Sequence, residues 1–221
     1  MKENLTELVF ILDKSGSMSG LEKDTIGGFN SMLEKQRDVE GECYITTVLF
    51  DNNYELLHDR IDIRAVKSIT EEDYYVGGST ALIDAIGRTI RKIGRAQKNT
   101  DEDYRAEKVM FVIITDGEEN SSREFSAKKV KALIEKQKEK YNWEFVFLGA
   151  NIDAVETARH YGISANRAQN YISDEKGSEV IYSALAKAAV SFRGAPVNAT
   201  FDDCWCDEIE MDYNERGGRK S

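Results

Sequence analysis

Asp13, Ser15 and Ser17 sit at alternate positions just after the apolar run Leu8-Val9-Phe10-Ile11-Leu12. One carboxylate and two hydroxyls are small, hard oxygen donors, the type that a Mg²⁺-like cation selects. Two further segments carry matching groups. Thr80 follows Gly77-Gly78-Ser79, and Asp116 stands between Thr115 and Gly117. Mg²⁺ takes roughly octahedral oxygen coordination and gives up its waters reluctantly. Ser15, Ser17 and Thr80 can supply neutral oxygens, while Asp13 and Asp116 can neutralise the ion directly or through water. Gly16 lets the backbone turn so that Ser15 and Ser17 point the same way, and Gly77 and Gly78 let a loop approach closely. Neutral donors leave the ion short of negative charge. It then draws an anionic oxygen from outside, most simply a partner's Asp or Glu.

Each of these residues also has a plainer role. Asp13 and Asp116 suit capping of turns or helices at strand ends, and Ser15 and Ser17 suit hydroxyls that satisfy loop backbone. An enzyme is a rival reading, with Asp13 as a phosphoryl-accepting nucleophile beside a metal and Asp116. Such phosphatases generally carry a second aspartate two residues on, where this chain has Ser15. A phosphate-cradling loop needs Gly-Lys-Ser/Thr after a glycine-rich stretch, and Asp-Lys-Ser-Gly-Ser does not supply it. No general base accompanies Ser15 or Ser17. A third reading is a structural subunit whose metal serves stability alone. The expectation is therefore a binding module and not an enzyme.

The elements that must position these residues can be read from periodicity. Residues 5–12 and 108–115 are nearly continuous apolar runs, the mark of strands buried on both faces of a parallel sheet. Residues 44–50 and 54–58 flank Asp51-Asn52-Asn53 as a hairpin, which makes one edge antiparallel. Phe145–Leu148 reads as another buried strand and Tyr171-Ile172 as a short last one. Helices are expected over 21–37, 81–97, 126–140 and 175–193, with Gly194 beyond the last. Val66 and Ile69 predict one helical turn within 62–76, and Asp153 opens a short helix with Glu156 placed for a capping box. The alternation predicts an α/β, doubly wound sheet with helices on both faces. In such a sheet ligands bind beyond the carboxyl ends of the strands, where Asp13 and Asp116 fall.

At this point the chain resembles the von Willebrand factor A domain with its metal-ion-dependent adhesion site. The family's Asp-x-Ser-x-Ser is met by Asp13, Ser15 and Ser17, its threonine in a glycine-containing loop by Thr80, and its Thr-Asp-Gly aspartate by Asp116. The resemblance extends over roughly residues 5–193 and is closest to stand-alone intracellular bacterial or phage members. It implies a Rossmann-like three-layer sandwich, with a six-stranded, mostly parallel sheet and one antiparallel edge strand. It also implies Mg²⁺ or Mn²⁺, with Ca²⁺ less well suited, held by Ser15, Ser17 and Thr80, while Asp13 and Asp116 act mostly through water. The sixth position would take a partner's Asp or Glu. Direct coordination by Thr80 accompanies the open, ligand-ready state in that family. Intracellular bacterial members often work beside ring-forming ATPases or in stress responses, which implies a partner of that kind.

Other residues have alternative readings. Glu118, Glu119 and Asn120 are either rim groups or solvated loop, and Met18 is either an apolar rim contact or an ordinary exposed methionine. Tyr74 and Tyr75 either contact a partner or pack. Cys204 and Cys206 invite a zinc or redox reading, yet two thiols fall short of four tetrahedral ligands. His58 and His160 have no metal spacing. The lysine-rich face of 126–140 is read as a solvated helix face.

Composition limits the rest. The chain has 221 residues, 41% hydrophobic and 32% charged, with one proline, enough for one α/β domain and its core. We assign residues 1–194 to that domain and 195–221 to an acidic C-terminal tail. From Asp202 on, seven acidic residues face three basic ones. The tail is expected to pack through Phe201 and Trp205 and then fray. A net charge of −10 argues against a nucleic-acid groove, which needs a basic footprint. No secretory signal is expected from Met1-Lys2-Glu3-Asn4 and the run interrupted by Glu7, and no apolar run approaches the ~20 residues that span a bilayer. Three cysteines, an odd number, do not make a disulfide framework. A cytoplasmic location fits these features best.

Overall fold

The computed structural model describes residues 1–197 and 199–217. Six strands form one sheet: β1 (Lys2–Asp13), β2 (Glu42–Phe50), β3 (Tyr54–Asp62), β4 (Ala106–Thr115), β5 (Glu144–Gly149) and β6 (Ala168–Asn170). Their order is β3-β2-β1-β4-β5-β6. Every neighbouring pair is parallel except β2 and β3, which form the expected antiparallel edge. Six α-helices accompany the strands: α1 (Glu22–Arg37), α2 (Leu82–Asn99), α3 (Ala127–Tyr141), α4 (Ala154–His160), α5 (Glu175–Gly194) and α6 (Asp207–Glu215).

The centre of the sheet follows from its apolar runs. β1 is buried without a break from Leu5 to Asp13 because β2 and β4 flank it and helices cover both its faces. Alternate residues point to opposite faces. Leu8, Phe10 and Leu12 join one core with α1 and α5, where the Phe10 and Phe29 rings meet edge to face at 5.3 Å. Val9 and Ile11 join the other, which holds Ile86 and Ile90 of α2 and Ile134 of α3. Burial of each such side chain stabilises the fold by roughly 1.5–3 kcal/mol.

From β1 the chain passes to β2 on one side, and it later enters β4 on the other. The strand order therefore reverses between β1 and β4, and a crevice opens beyond their carboxyl ends. Asp13 ends β1 and Thr115 ends β4.

Several expectations are corrected. Residues 62–76 hold no helix, but the expected single helical turn is present at its start, where Ala65 N and Val66 N both donate to the Asp62 carbonyl at 2.8 and 3.1 Å. The Ile69 backbone is bound at both its N–H and its carbonyl by the Asn30 side chain (2.9 Å each), and Arg37 donates to the Val66 carbonyl at 2.8 Å. Contacts with α1 thus stop this turn from continuing as a helix. The last strand is Ala168–Asn170, because β5 stops at Gly149 opposite Asn170. Tyr171 adds only one further bond, to the Gly149 carbonyl at 3.0 Å. Gly194 is the last residue of α5 and does not lie beyond it. Asp153 caps α4 by accepting from Glu156 N at 2.9 Å, whereas the Glu156 carboxylate turns to Arg159 and leaves the capping box half made.

The acidic segment does not fray where expected. Phe201, Trp205 and Ile209 are buried against the α5 side of the core, and α6 runs to Glu215. Arg216 pairs with Asp174, the cap of α5, and Lys176 pairs with Asp212 at 2.8 Å. The tail's last residues, 218–221, lie outside the described residues. No helix among the described residues is long and apolar enough to cross a membrane.

Candidate metal centre

The five expected residues meet at the crevice between β1 and β4. Asp13, Ser15, Thr80 and Asp116 are each at most 3% exposed, while Ser17 is exposed and forms the mouth. Asp13 is held by both oxygens: Oδ1 accepts from Ser15 N at 2.7 Å and Oδ2 accepts from Thr115 Oγ1 at 2.5 Å. Ser15 Oγ and Ser17 Oγ lie 3.0 Å apart, and Ser17 Oγ donates to Asp116 Oδ1 at 2.5 Å. Ser15 precedes the 3-10 turn Gly16–Met18 without capping it through its side chain. Its hydroxyl is directed to Ser17 instead of satisfying the loop.

The loop that carries Thr80 is joined to this turn through backbone. Gly77 N donates to the Lys14 carbonyl at 2.9 Å, and Gly16 N donates to the Gly78 carbonyl at 3.2 Å. Gly78 has φ +73°, and a Cβ there would meet Asn52 Oδ1 at 2.2 Å, so only glycine fits. Asn120 clamps Thr80 from the β4 side: Thr80 N donates to Asn120 Oδ1 at 2.9 Å, and Asn120 N donates to the Thr80 carbonyl at 3.0 Å. A Cβ built at Gly117 would lie 3.2 Å from Ser17 Oγ and 3.7 Å from Thr80 Oγ1. Both hydroxyls thus line the space that the absent side chain leaves.

The electrostatics suit a small cation. Burial pushes the Asp13 carboxyl up to about 6, against the hydrogen bonds from Ser15 and Thr115 that favour its charged form. Burial also raises Asp116, against hydrogen bonds from Ser17 and Ser173. Among the described residues neither carboxylate has an ion pair with a basic side chain. The adjacent Lys14 turns away to Glu55 at 2.6 Å, with its ammonium 4.0 Å from the Tyr75 ring centre. The uncompensated carboxylates and convergent hydroxyls fit a hard divalent ion. Among the described residues no group of three or more His, Cys, Asp or Glu side chains could hold a metal, so any ion here depends on the hydroxyls.

Several supporting residues escaped the sequence reading. Thr115 holds Asp13, and its only sequence signal is its place before Asp116-Gly117. Ser173 Oγ lies 3.4 Å from Asp116 Oδ2, and Asn151 Nδ2 donates to the Asp116 carbonyl at 3.4 Å. Tyr74, 1% exposed, packs in the core and donates to the Asp13 carbonyl at 2.5 Å, while Tyr75 is exposed. Met18 is buried and neither rim nor exposed surface. Glu119 binds Ile83 N at the start of α2 (2.8 Å) and Ser122 N (2.7 Å), so it anchors the loop, while Glu118 is exposed.

The remaining candidates lie elsewhere. His58 Nδ1 is 3.0 Å from Thr47 Oγ1 within the sheet edge, and His160 is exposed on α4 beside Glu156. Cys204 is exposed and Cys206 buried.

No protein-family profile matches the sequence, and no curated protein matches it. Solved structures do share the fold. A von Willebrand factor type A protein from Catenulispora acidiphila aligns over 84% of this chain and 42% of its own, at 14% identity and TM-score 0.58. A mutant of the PilB minor pilin from Streptococcus sanguinis aligns over 86% of this chain and 63% of its own, at 11% identity and TM-score 0.58. Proximal thread matrix protein 1 from the mussel byssus, with a zinc-occupied metal-ion-dependent adhesion site, aligns over 84% of this chain and 46% of its own. Its identity is 15% and its TM-score 0.56. The chain thus spans less than two thirds of the length of each of these proteins. At these identities the likeness is one of fold: a von Willebrand factor A-like α/β sandwich.

Proposed function

We propose that the chain is a divalent-cation-dependent protein-binding module. Ser15, Ser17 and Thr80 would hold Mg²⁺ or Mn²⁺, with Asp13 and Asp116 neutralising it mostly through water. The ion would supply a directional, charge-assisted attraction to an Asp or Glu carboxylate of a protein partner. The observation that carries this reading is the meeting of all five side chains at the β1–β4 crevice, with Ser17 exposed at its mouth. The zinc-occupied metal-ion-dependent adhesion site of the mussel byssus protein, which shares this fold, supports a divalent ion as the ligand.

The chain's own residues set the conditions for this binding. Thr115 and the Ser15 amide fix the Asp13 carboxylate, and Asn120 fixes the backbone of Thr80. The same restraint weighs against Asp13 as a nucleophile, since both its oxygens accept hydrogen bonds and the residue is 1% exposed. We place the module in the cytoplasm, beside a ring-forming ATPase or a stress-response component, on the family resemblance.

An affinity capture compares wild type in Mg²⁺, wild type in chelator, and Thr80→Ala in Mg²⁺. Partners are expected in the first arm only. Equal retention in all three arms, or metal-dependent phosphoester turnover by the purified protein, overturns the proposal.

A further inference from the structure

A second cavity lies at the other end of the sheet, where β4 begins at Ala106 and β5 follows Trp143. Its volume is about 550 Å³, and it is bounded by α2 and α3. Small-molecule sites typically enclose about 300–1,000 Å³. The half-buried Leu133 and the exposed Tyr141 supply its apolar surface, with the buried Ile90 and Trp143 beneath them.

The rim is basic in a chain whose net charge is −10. Arg91, Arg95 and Lys98 project from α2 at intervals of four and three, which places them along one helix face. Lys136 comes from α3 and Arg105 from the turn before β4. Among the described residues none of these five forms an ion pair, but Arg91 stacks over the Phe125 ring at 4.6 Å and Arg105 Nε donates to the Thr100 carbonyl at 2.7 Å, which leaves Arg95, Lys98 and Lys136 as the uncommitted cations. The ion pairs of α2 and α3 use Arg88, Lys92 and Lys131 instead. The single carboxylate in the lining, Glu107, accepts from Asn4 N at 2.9 Å. An anion in this cavity would meet the combined field of Arg95, Lys98 and Lys136.

Gly94 adds an independent sign. Glycine inside a helix is destabilising relative to alanine. Packing does not require it here, since a Cβ would meet only Gln137 Nε2, at 3.6 Å. Gly94 lines the cavity, and a larger side chain there would take up part of its space.

We infer that this cavity binds a small aromatic phosphate, a planar ring carrying one phosphate group. The ring would lie against Leu133 and the exposed Tyr141 ring, and the phosphate would face Arg95, whose guanidinium can bind phosphate oxygens in pairs, with Lys98 and Lys136 beside it. Ala106 and Thr115 are the two ends of β4, so this site lies at the opposite end of the sheet from the metal centre and does not depend on it.

Calorimetric titration tests this with AMP, phenyl phosphate, adenosine and inorganic phosphate, all in chelator. One-to-one binding of AMP, phenyl phosphate or both is expected, with adenosine and inorganic phosphate at least tenfold weaker. Binding of both aromatic phosphates identifies the general class, and binding of AMP alone narrows it to nucleotides. Arg95→Glu, which reverses a charge, and Gly94→Leu, which fills the cavity, should each weaken binding at least tenfold. Lys136→Glu gives the same readout from the other wall if either α2 variant misfolds. Thr80→Ala should bind as wild type. No binding of either aromatic phosphate, equal binding of inorganic phosphate, or wild-type affinity in folded variants overturns the inference.

Discussion

Thr115 Oγ1 donates a 2.5 Å hydrogen bond to Asp13 Oδ2 and so ties the last residue of β4 to the last residue of β1. Thr115 is fully buried and Asp13 is 1% exposed, so water cannot replace the bond. Thr115→Val keeps the shape and removes the donor. A buried acceptor left without its partner costs about 1–3 kcal/mol. Urea denaturation in chelator should show that loss for Thr115→Val and little of it for Thr115→Ser. Thr115→Val with wild-type stability would show that this bond does not hold the crevice together.

Thr80 is the position at which the proposed metal binding can be tested apart from folding. Asn120 grips its backbone N–H and carbonyl, so Thr80→Ala should leave the metal-free fold within about 1 kcal/mol of wild type. An ion that binds only the folded state at a hundred times its dissociation constant adds about 2.7 kcal/mol. Thermal melts with and without Mg²⁺ should show that increment for wild type and a clearly smaller one for Thr80→Ala. Equal increments would remove Thr80 from the ligand set.

The parts of this fold legible in the sequence are those governed by local pattern. The runs 8–12 and 109–114 read as buried strands because both faces of β1 and β4 are covered, and Asp51-Asn52-Asn53 reads as a hairpin because only a tight turn fits. The five residues that meet at the β1–β4 crevice were legible as a group because their residue types and spacing single them out. What was hidden depends on partners far away in sequence. Val66 closes the single turn that its spacing with Ile69 suggests, yet Arg37 and Asn30 take the Val66 carbonyl and the Ile69 backbone groups that would continue it. Trp205 and Ile209 also have helical spacing, four apart, but the surrounding acids obscured the face that α6 presents to α5.

His58 gives the edge of the sheet a pH dependence. Burial pushes its imidazole below the ordinary value of 6.5. The unfolded chain therefore takes up this proton at a higher pH than the folded one. The contribution is present above the unfolded value and is lost as pH falls through it towards the folded one. Denaturation at pH 7.5 and pH 5.5 should show a larger loss for wild type than for His58→Gln, which keeps a polar partner for Thr47 but does not titrate. Parallel losses in the two proteins would show that the folded imidazole protonates as easily as the unfolded one.

Trp205 fastens the acidic segment to the domain. Its ring lies 6.5 Å from that of Phe201, and its Nε1 donates to the Asn166 carbonyl at 2.9 Å. Arg167 ties the same segment from the other side, donating to the Phe201 carbonyl at 2.8 Å and pairing with Asp203 at 2.5 Å. Trp205→Ala removes a large buried side chain and leaves a cavity, a change that costs about 3–5 kcal/mol. Trp205→Phe keeps most of the packing and removes one of the two donors to the Asn166 carbonyl, which keeps Arg167 Nη1 at 3.2 Å, for a loss of about 0.5–1.5 kcal/mol. Chemical denaturation should rank the two variants in that order. Limited proteolysis of Trp205→Ala should cut first between Ala195 and Asp202, as the segment lifts from α5. A variant as stable and as resistant as wild type would mean that the segment rests on the domain without strengthening it.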